Sequence, residues 1–258
     1  MQQLLQSPVV VVLICALVAV VLSLVGVVPH ALRRDLAPEV IGIAEALAGG
    51  CMLGAGFLLL HGPTDSGWVA LLGAGSGVGF VYSLQRYFRL GEGEETSPLD
   101  ASPSDAGGTT HTFVGYRLLL ESSMPASMEG VAIGAAMEVG LGLGLFLAAA
   151  LALHNIAEAL ALVAALRARG ATMKDATGLS LVVKVPQMMA AVAVFAVVEA
   201  VPSARALTLG FAAGSLFYMI LTDLLPTAYK RCSKMRVAVV ISASAGIVVL
   251  LHGVLLGR

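Results

Sequence analysis

The chain has 258 residues, 58% of them hydrophobic and only 12% charged, with a formal net charge of −1 and a mean hydropathy of +0.93. A soluble domain of this size does not carry so much apolar surface, so the composition excludes one and reads as a polytopic membrane protein. The near-zero net charge leaves no nucleic-acid footprint, and the three scattered cysteines (Cys15, Cys51, Cys232), with no CxxC pair, exclude a disulfide framework.

Eight apolar runs follow one another, at 8–28, 41–60, 67–88, 116–137, 141–165, 178–200, 205–227 and 236–256. Each is close to the ~20 residues that a helix needs to cross a bilayer. Backbone groups in lipid must be paired within their own segment, so the runs predict an all-α fold, an eight-helix transmembrane bundle forming a single domain. The first run follows MQQLLQS, which has no basic side chain, and it is longer than a signal-peptide core; it is read as a retained helix. Glycines at small-xxx-small spacing, Gly50 with Gly54 and Gly210 with Gly214, favour close helix packing.

The connections orient the chain. Basic residues gather in alternate loops: Arg33 and Arg34; Arg86, Arg89 and Arg117; Arg167, Arg169 and Lys174; Lys230, Arg231, Lys234 and Arg236. By the positive-inside rule these loops face the cytoplasm and both termini lie outside it, as expected for a multi-pass protein of the inner (plasma) membrane. The long connection 90–113, rich in Gly, Ser, Thr, Pro and acids, predicts a flexible cytoplasmic loop rather than a metal-collecting cluster. Lys184, inside the sixth run, is expected to snorkel to the cytoplasmic end of its helix. Glu45, near a span margin, is expected to be solvated at the interface.

Chemistry concentrates in the fifth run, where LALHNIAEALALV at 151–163 sets His154, Asn155 and Glu158 among apolar residues. His154 and Glu158 are four apart and share one helix face, with Asn155 beside Glu158 at i,i+3. Ionisable groups at membrane depth are costly and mark functional sites. Glu129 in the fourth run and Gln187 in the sixth stand 29 residues before and after Glu158, so three consecutive helices can turn polar side chains to one axis. Oxygen and imidazole donors without a thiolate suit Zn²⁺, Fe²⁺, Mn²⁺ or Co²⁺. Two ionised glutamates carry −2, which a single divalent ion would neutralise. The alternative is an interhelical hydrogen-bond cluster that holds the bundle together. Pro125 in the fourth run frees the carbonyl of Glu121 from helix pairing, either toward the polar axis or simply as a kink.

These residues resemble the ZIP (Zrt-/Irt-like) family of metal transporters, whose fourth and fifth helices typically carry H-N-x-P-E-G or close variants forming an intramembrane metal site. The fifth run here reads His154-Asn155-Ile-Ala-Glu158-Ala. The stretch 209–226, ending in Thr222-Asp223-Leu-Leu-Pro226, resembles the family's seventh helix, with Asp223 keeping the second member of its acidic pair. The second run, ending at His61, resembles the family's second helix. The resemblance implies His154, Glu158, Glu129, Asn155, Gln187 and Asp223 as the metal-binding set; Asp223 alone also reads as a membrane-edge acid. The chain departs from the pattern in the fourth run, where Pro125 and Ala126 replace the His and Asn, and at Gln187, where the family commonly has Glu.

The function so implied is a secondary transporter that moves divalent transition-metal ions into the cytoplasm. Zinc comes first, and iron, manganese, cobalt or cadmium are its alternates. The metal is the transported substrate, and no organic cofactor is expected. The partners are the lipid bilayer and the metal ion, with room for a homodimer. No phosphate loop is visible, since none of the four lysines follows a glycine. A metal-dependent intramembrane hydrolase, and with it an enzyme, is disfavoured because H-E-x-x-H is absent. The competing reading is a non-transporting sensor or scaffold of the same fold that retains a degraded site.

Overall fold

The structure is a computed structural model that describes residues 7–32, 37–61, 67–90 and 110–256. Every regular element among them is helical. The first helical segment, α1, spans Pro8–Leu22 and continues through a tighter turn at Ser23–Val27 and a short helix at Val28–Leu32. Then come α2 (Pro38–Leu60), α3 (Gly67–Leu90), α4 (Thr110–Val139) and α5 (Leu141–Ala168). The sixth segment is split into α6a (Met173–Val182) and α6b (Val185–Ala200). The seventh is α7a (Arg205–Met219), a wide turn at Ile220–Leu224 and α7b (Leu225–Arg231), and α8 (Lys234–Leu256) closes the order. Most of the connection expected to be a flexible loop, 91–109, lies outside the described residues.

Among the described residues, seven helical segments are long and apolar enough to cross a membrane, and α4 is not among them. The polar run ESSMPASME at 121–129 falls in α4. Its C-terminal half is nevertheless enclosed by protein, since residues 128–137 are all buried. A polar helix is tolerated at membrane depth when its polar groups face other helices rather than lipid. By length and hydropathy alone, therefore, the described residues supply seven spans rather than the expected eight.

α5 is the hub. It packs against α1, α2, α4 and α6a, and more lightly against α8, burying Leu147, Leu151 and Val163 completely. His30, at the end of α1, ties that segment to α5 through a 2.8 Å contact between its Nε2 and the carbonyl of Leu160. α5 ends in a tight reversal at Gly170, whose φ of +85° lies in the left-handed region that glycine adopts without a Cβ clash. Thr172 then caps α6a by accepting from the amide of Asp175 at 3.1 Å.

Small residues set the other helix distances. A Cβ on Gly130 would stand 2.2 Å from the carbonyl oxygen of Gln187, and one on Gly134 2.4 Å from that of Ala191. α4 and α6b thus approach backbone to backbone, as small-residue interfaces allow. Gly210 and Gly214, paired by spacing in the sequence, hold α7a against Ala70 and Ala74 of α3, and Gly50 and Gly54 hold α2 against Ser244 and Val248 of α8.

Two expectations about charged residues are overturned. Lys184 does not snorkel: it is 1% exposed and points into the bundle. Glu45 is not solvated at the interface but buried, and it is paired with Arg231 of α7b. In both cases an oppositely charged group inside the protein replaces the water that the sequence reading supplied.

Candidate metal centre

The centre forms where α4, α5 and the break in the sixth segment meet. Each element has a local reason to present its polar residue there. On α5, His154 and Glu158 are one helical turn apart, with Nε2 and Oε2 separated by 3.6 Å. On α4, Gly130 allows α6b to lie close, and the adjacent Glu129 becomes fully buried. In the sixth segment, Pro186 has no amide hydrogen and its ring crowds the carbonyl four residues back, at Val182. The helix breaks at residues 183–184 and restarts at Val185. The break turns Lys184 inward.

The resulting geometry is compact. His154 Nε2 lies 2.9 Å from Glu129 Oε1, although this oxygen has no aligned hydrogen-bond donor. Lys184 Nζ donates to Glu158 Oε2, to Asn155 Oδ1 at 2.8 Å and to Glu129 Oε2 at 3.4 Å. Asn155 Nδ2 donates to Gln187 Oε1 at 3.1 Å. His154 Nδ1 and Gln187 Nε2 are buried without a partner. Glu158 keeps 18% of its side chain exposed, whereas Glu129 is sealed. Access to the centre is therefore past Glu158.

One ligand atom from each of Glu129, His154 and Glu158 lies within 4.8 Å of the others. The set contains no sulfur, which fits a borderline or hard divalent ion. The charge differs from the sequence expectation of −2. With the Lys184 ammonium counted and His154 neutral, two carboxylates and one ammonium leave −1. Asn155 and Gln187, also expected as ligands, use one oxygen each on Lys184 and on one another, and so connect α5 to α6b.

Asp223 stands apart from this set. It sits in the wide turn Ile220–Leu224, just before Pro226, and accepts from Gln85 of α3 at 3.0 Å. Thr222 bonds back to the carbonyl of Tyr218 at 3.0 Å. His61, at the end of α2, is exposed and stacks on Phe57 with ring centroids 4.8 Å apart.

Lys184 is the member of the cluster that sequence reasoning missed. A signal was present. Lys184 and Gln187 are three residues apart, so any helical phase that turned Gln187 to the axis brought Lys184 to the same face. A lysine at membrane depth also pairs with an acid more often than it stands alone.

Comparison with known proteins adds a second line. A family model described as ZIP zinc transporter matches residues 95–253. A protein of Arabidopsis thaliana, named provisionally as a zinc transporter, is 32% identical over 207 residues, 79% of this chain. The chain spans about a third of that curated relative's length, the matched part being 32% of it.

Proposed function

The chain belongs to the ZIP zinc transporter family, and from that premise we propose that it carries divalent transition-metal ions across the membrane into the cytoplasm. Zinc is the first candidate; iron, manganese, cobalt and cadmium share the same donor preferences. The observation that carries the reading is the convergence of Glu129, His154 and Glu158, from two helices, to within 4.8 Å.

In this reading Glu129 Oε1, His154 Nε2 and a Glu158 oxygen bind the ion. Asn155 and Gln187 steady the ligand helices and offer their amide oxygens during passage. Asp223 lines the approach between α3 and α7b. We count α4 as an eighth span, its C-terminal half enclosed by neighbouring helices. Both termini face away from the cytoplasm, following the basic loops. Alternating access arises as one helix group rocks against another around the centre. The break between α6a and α6b is one place where such motion is absorbed without unwinding a helix.

The test is metal uptake into proteoliposomes by the full chain, compared with Glu129→Ala and Glu158→Ala. The transport reading expects saturable uptake by the wild type and background uptake by both variants. A wild type that moves no divalent metal would leave the second reading, a non-transporting sensor or scaffold. That reading is favoured by one observation: an ammonium already occupies the carboxylates.

A further inference from the structure

The metal-binding reading of this centre does not account for Lys184. Resting on that reading, we propose that Lys184 is a tethered competitor of the metal: its ammonium holds Glu129 and Glu158 when no ion is bound, and it must leave them for the ion to load.

Three observations carry this. First, the lysine and the metal set compete for the same two carboxylates and share one atom. Glu158 Oε2 accepts from Lys184 and also lies 3.6 Å from His154 Nε2. An ammonium has three donors and no lone pair, and these three are spent on Glu129, Glu158 and Asn155. It can therefore bind the carboxylates in place of a metal but cannot join the metal's coordination shell.

Second, the ammonium stands where an ion would have to be held. Lys184 Nζ donates to both glutamates, to Glu158 Oε2 and to Glu129 Oε2 at 3.4 Å. His154 Nε2 lies 2.9 Å from Glu129 Oε1 and 3.6 Å from Glu158 Oε2, close to the ~3.4 Å that separates ligands of a tetrahedral zinc. A dication held between them would be repelled by the adjacent ammonium.

Third, Lys184 lies at the helix break. Its amide bonds to the carbonyl of Leu181 at 3.1 Å, three residues back, and the regular ladder resumes only beyond Pro186. The bonds at the break run between backbone atoms, so neither α6a nor α6b depends on a bond from the Lys184 side chain.

A lysine that merely staples α6 to α4 and α5 makes the opposite prediction for metal affinity, and this decides the experiment. Zn²⁺ binding is measured by titration calorimetry on the full chain in detergent, for wild type, Lys184→Met and Lys184→Arg. Removing the competitor leaves two close carboxylates unneutralised, a strongly unfavourable state that a dication relieves. Lys184→Met is therefore expected to bind Zn²⁺ at least about tenfold more tightly than wild type. Lys184→Arg, which keeps the charge, is expected to bind no more tightly than wild type.

The Zn²⁺-induced rise in Tm should also be larger for Lys184→Met, because binding to the folded state alone stabilises it. If that variant does not fold unaided, recovery of folded protein by saturating Zn²⁺ supports the competitor. Failure to recover with Zn²⁺, or an affinity equal to or below wild type, overturns it.

The two readings separate cleanly. Wild-type uptake with unchanged affinity in Lys184→Met removes the competitor and leaves transport standing. Tighter binding in Lys184→Met with no wild-type uptake does the reverse. If neither form binds Zn²⁺, both readings fall.

Discussion

Two buried acid–base assemblies in this bundle invite comparison. Glu45 on α2 meets Arg231 on α7b, and the cluster at α4, α5 and the sixth segment joins Glu129, Glu158, His154 and Lys184. The first is matched one to one, with its guanidinium partly in contact with solvent. It contains no imidazole and no surplus charge, so a divalent ion gains nothing by entering. Each assembly has one buried carboxylate oxygen without a donor, Glu45 Oε2 and Glu129 Oε1, so that feature does not separate them. The second alone has more carboxylate than ammonium and an imidazole nitrogen among its carboxylates. The difference teaches what to look for in a membrane protein: a balanced pair is a brace, and an acid surplus beside an imidazole is a place for a cation.

The largest expected effect breaks the cluster outright. Glu129→Ala or Glu158→Ala should lower metal uptake by more than about a hundredfold, since loss of even an outer-shell partner costs 10–100-fold at metal sites. Glu45→Gln, measured in the same proteoliposomes per folded molecule, should leave uptake near wild type. If Glu45→Gln also abolishes uptake, the distinction between brace and site is wrong.

A smaller effect comes from the spacing that builds the cluster. Gly130→Ala places a methyl 2.2 Å from the Gln187 carbonyl oxygen, and that oxygen is backbone. α4 and α6b must part, at a cost of about 1–3 kcal/mol. Thermal unfolding in detergent should register the loss, and uptake should fall with it because Glu129 moves away from α5.

Next is Asn155→Ala. It removes an acceptor from Lys184 and the donor to Gln187. Asn155 contacts Lys184 and Gln187 rather than a ligand atom of Glu129, His154 or Glu158, so Zn²⁺ affinity should change by no more than about tenfold. A loss as deep as that of Glu158→Ala would instead make Asn155 a ligand in its own right.

The smallest effect belongs to the exposed pair of Glu39 and Arg236, 3.2 Å apart. Glu39→Gln should change stability by less than about 1 kcal/mol, because water screens both groups. Uptake should be unaffected. A marked loss there would mean that the α2–α8 edge matters to the transport cycle as more than a surface contact.

Much of this molecule could be read before any coordinates. Apolar runs report helices across a membrane because the backbone can satisfy itself there in few ways. The spacing of His154 and Glu158 brought them to one face because α-helical geometry is local. The close approach at Gly130 that seats α6b was not read from the sequence, because it depends on which helix lies opposite. The fourth run was read as one span among eight, yet its polar residues make α4 a helix recognised by its surroundings rather than by its hydropathy.

The sequence by itself determined the helical class, the positions of the apolar segments and the identity of the acids and imidazole at depth, since these follow from composition and from periodicities of a few residues. Only the tertiary structure decided where Lys184 and Glu45 point and, through Lys184, what charge the centre holds. A side chain at a helix break can reach lipid headgroups or the bundle interior with equal local ease. The choice depends on which charges other helices, 26 to 55 residues away in the chain, bring within reach of its ammonium.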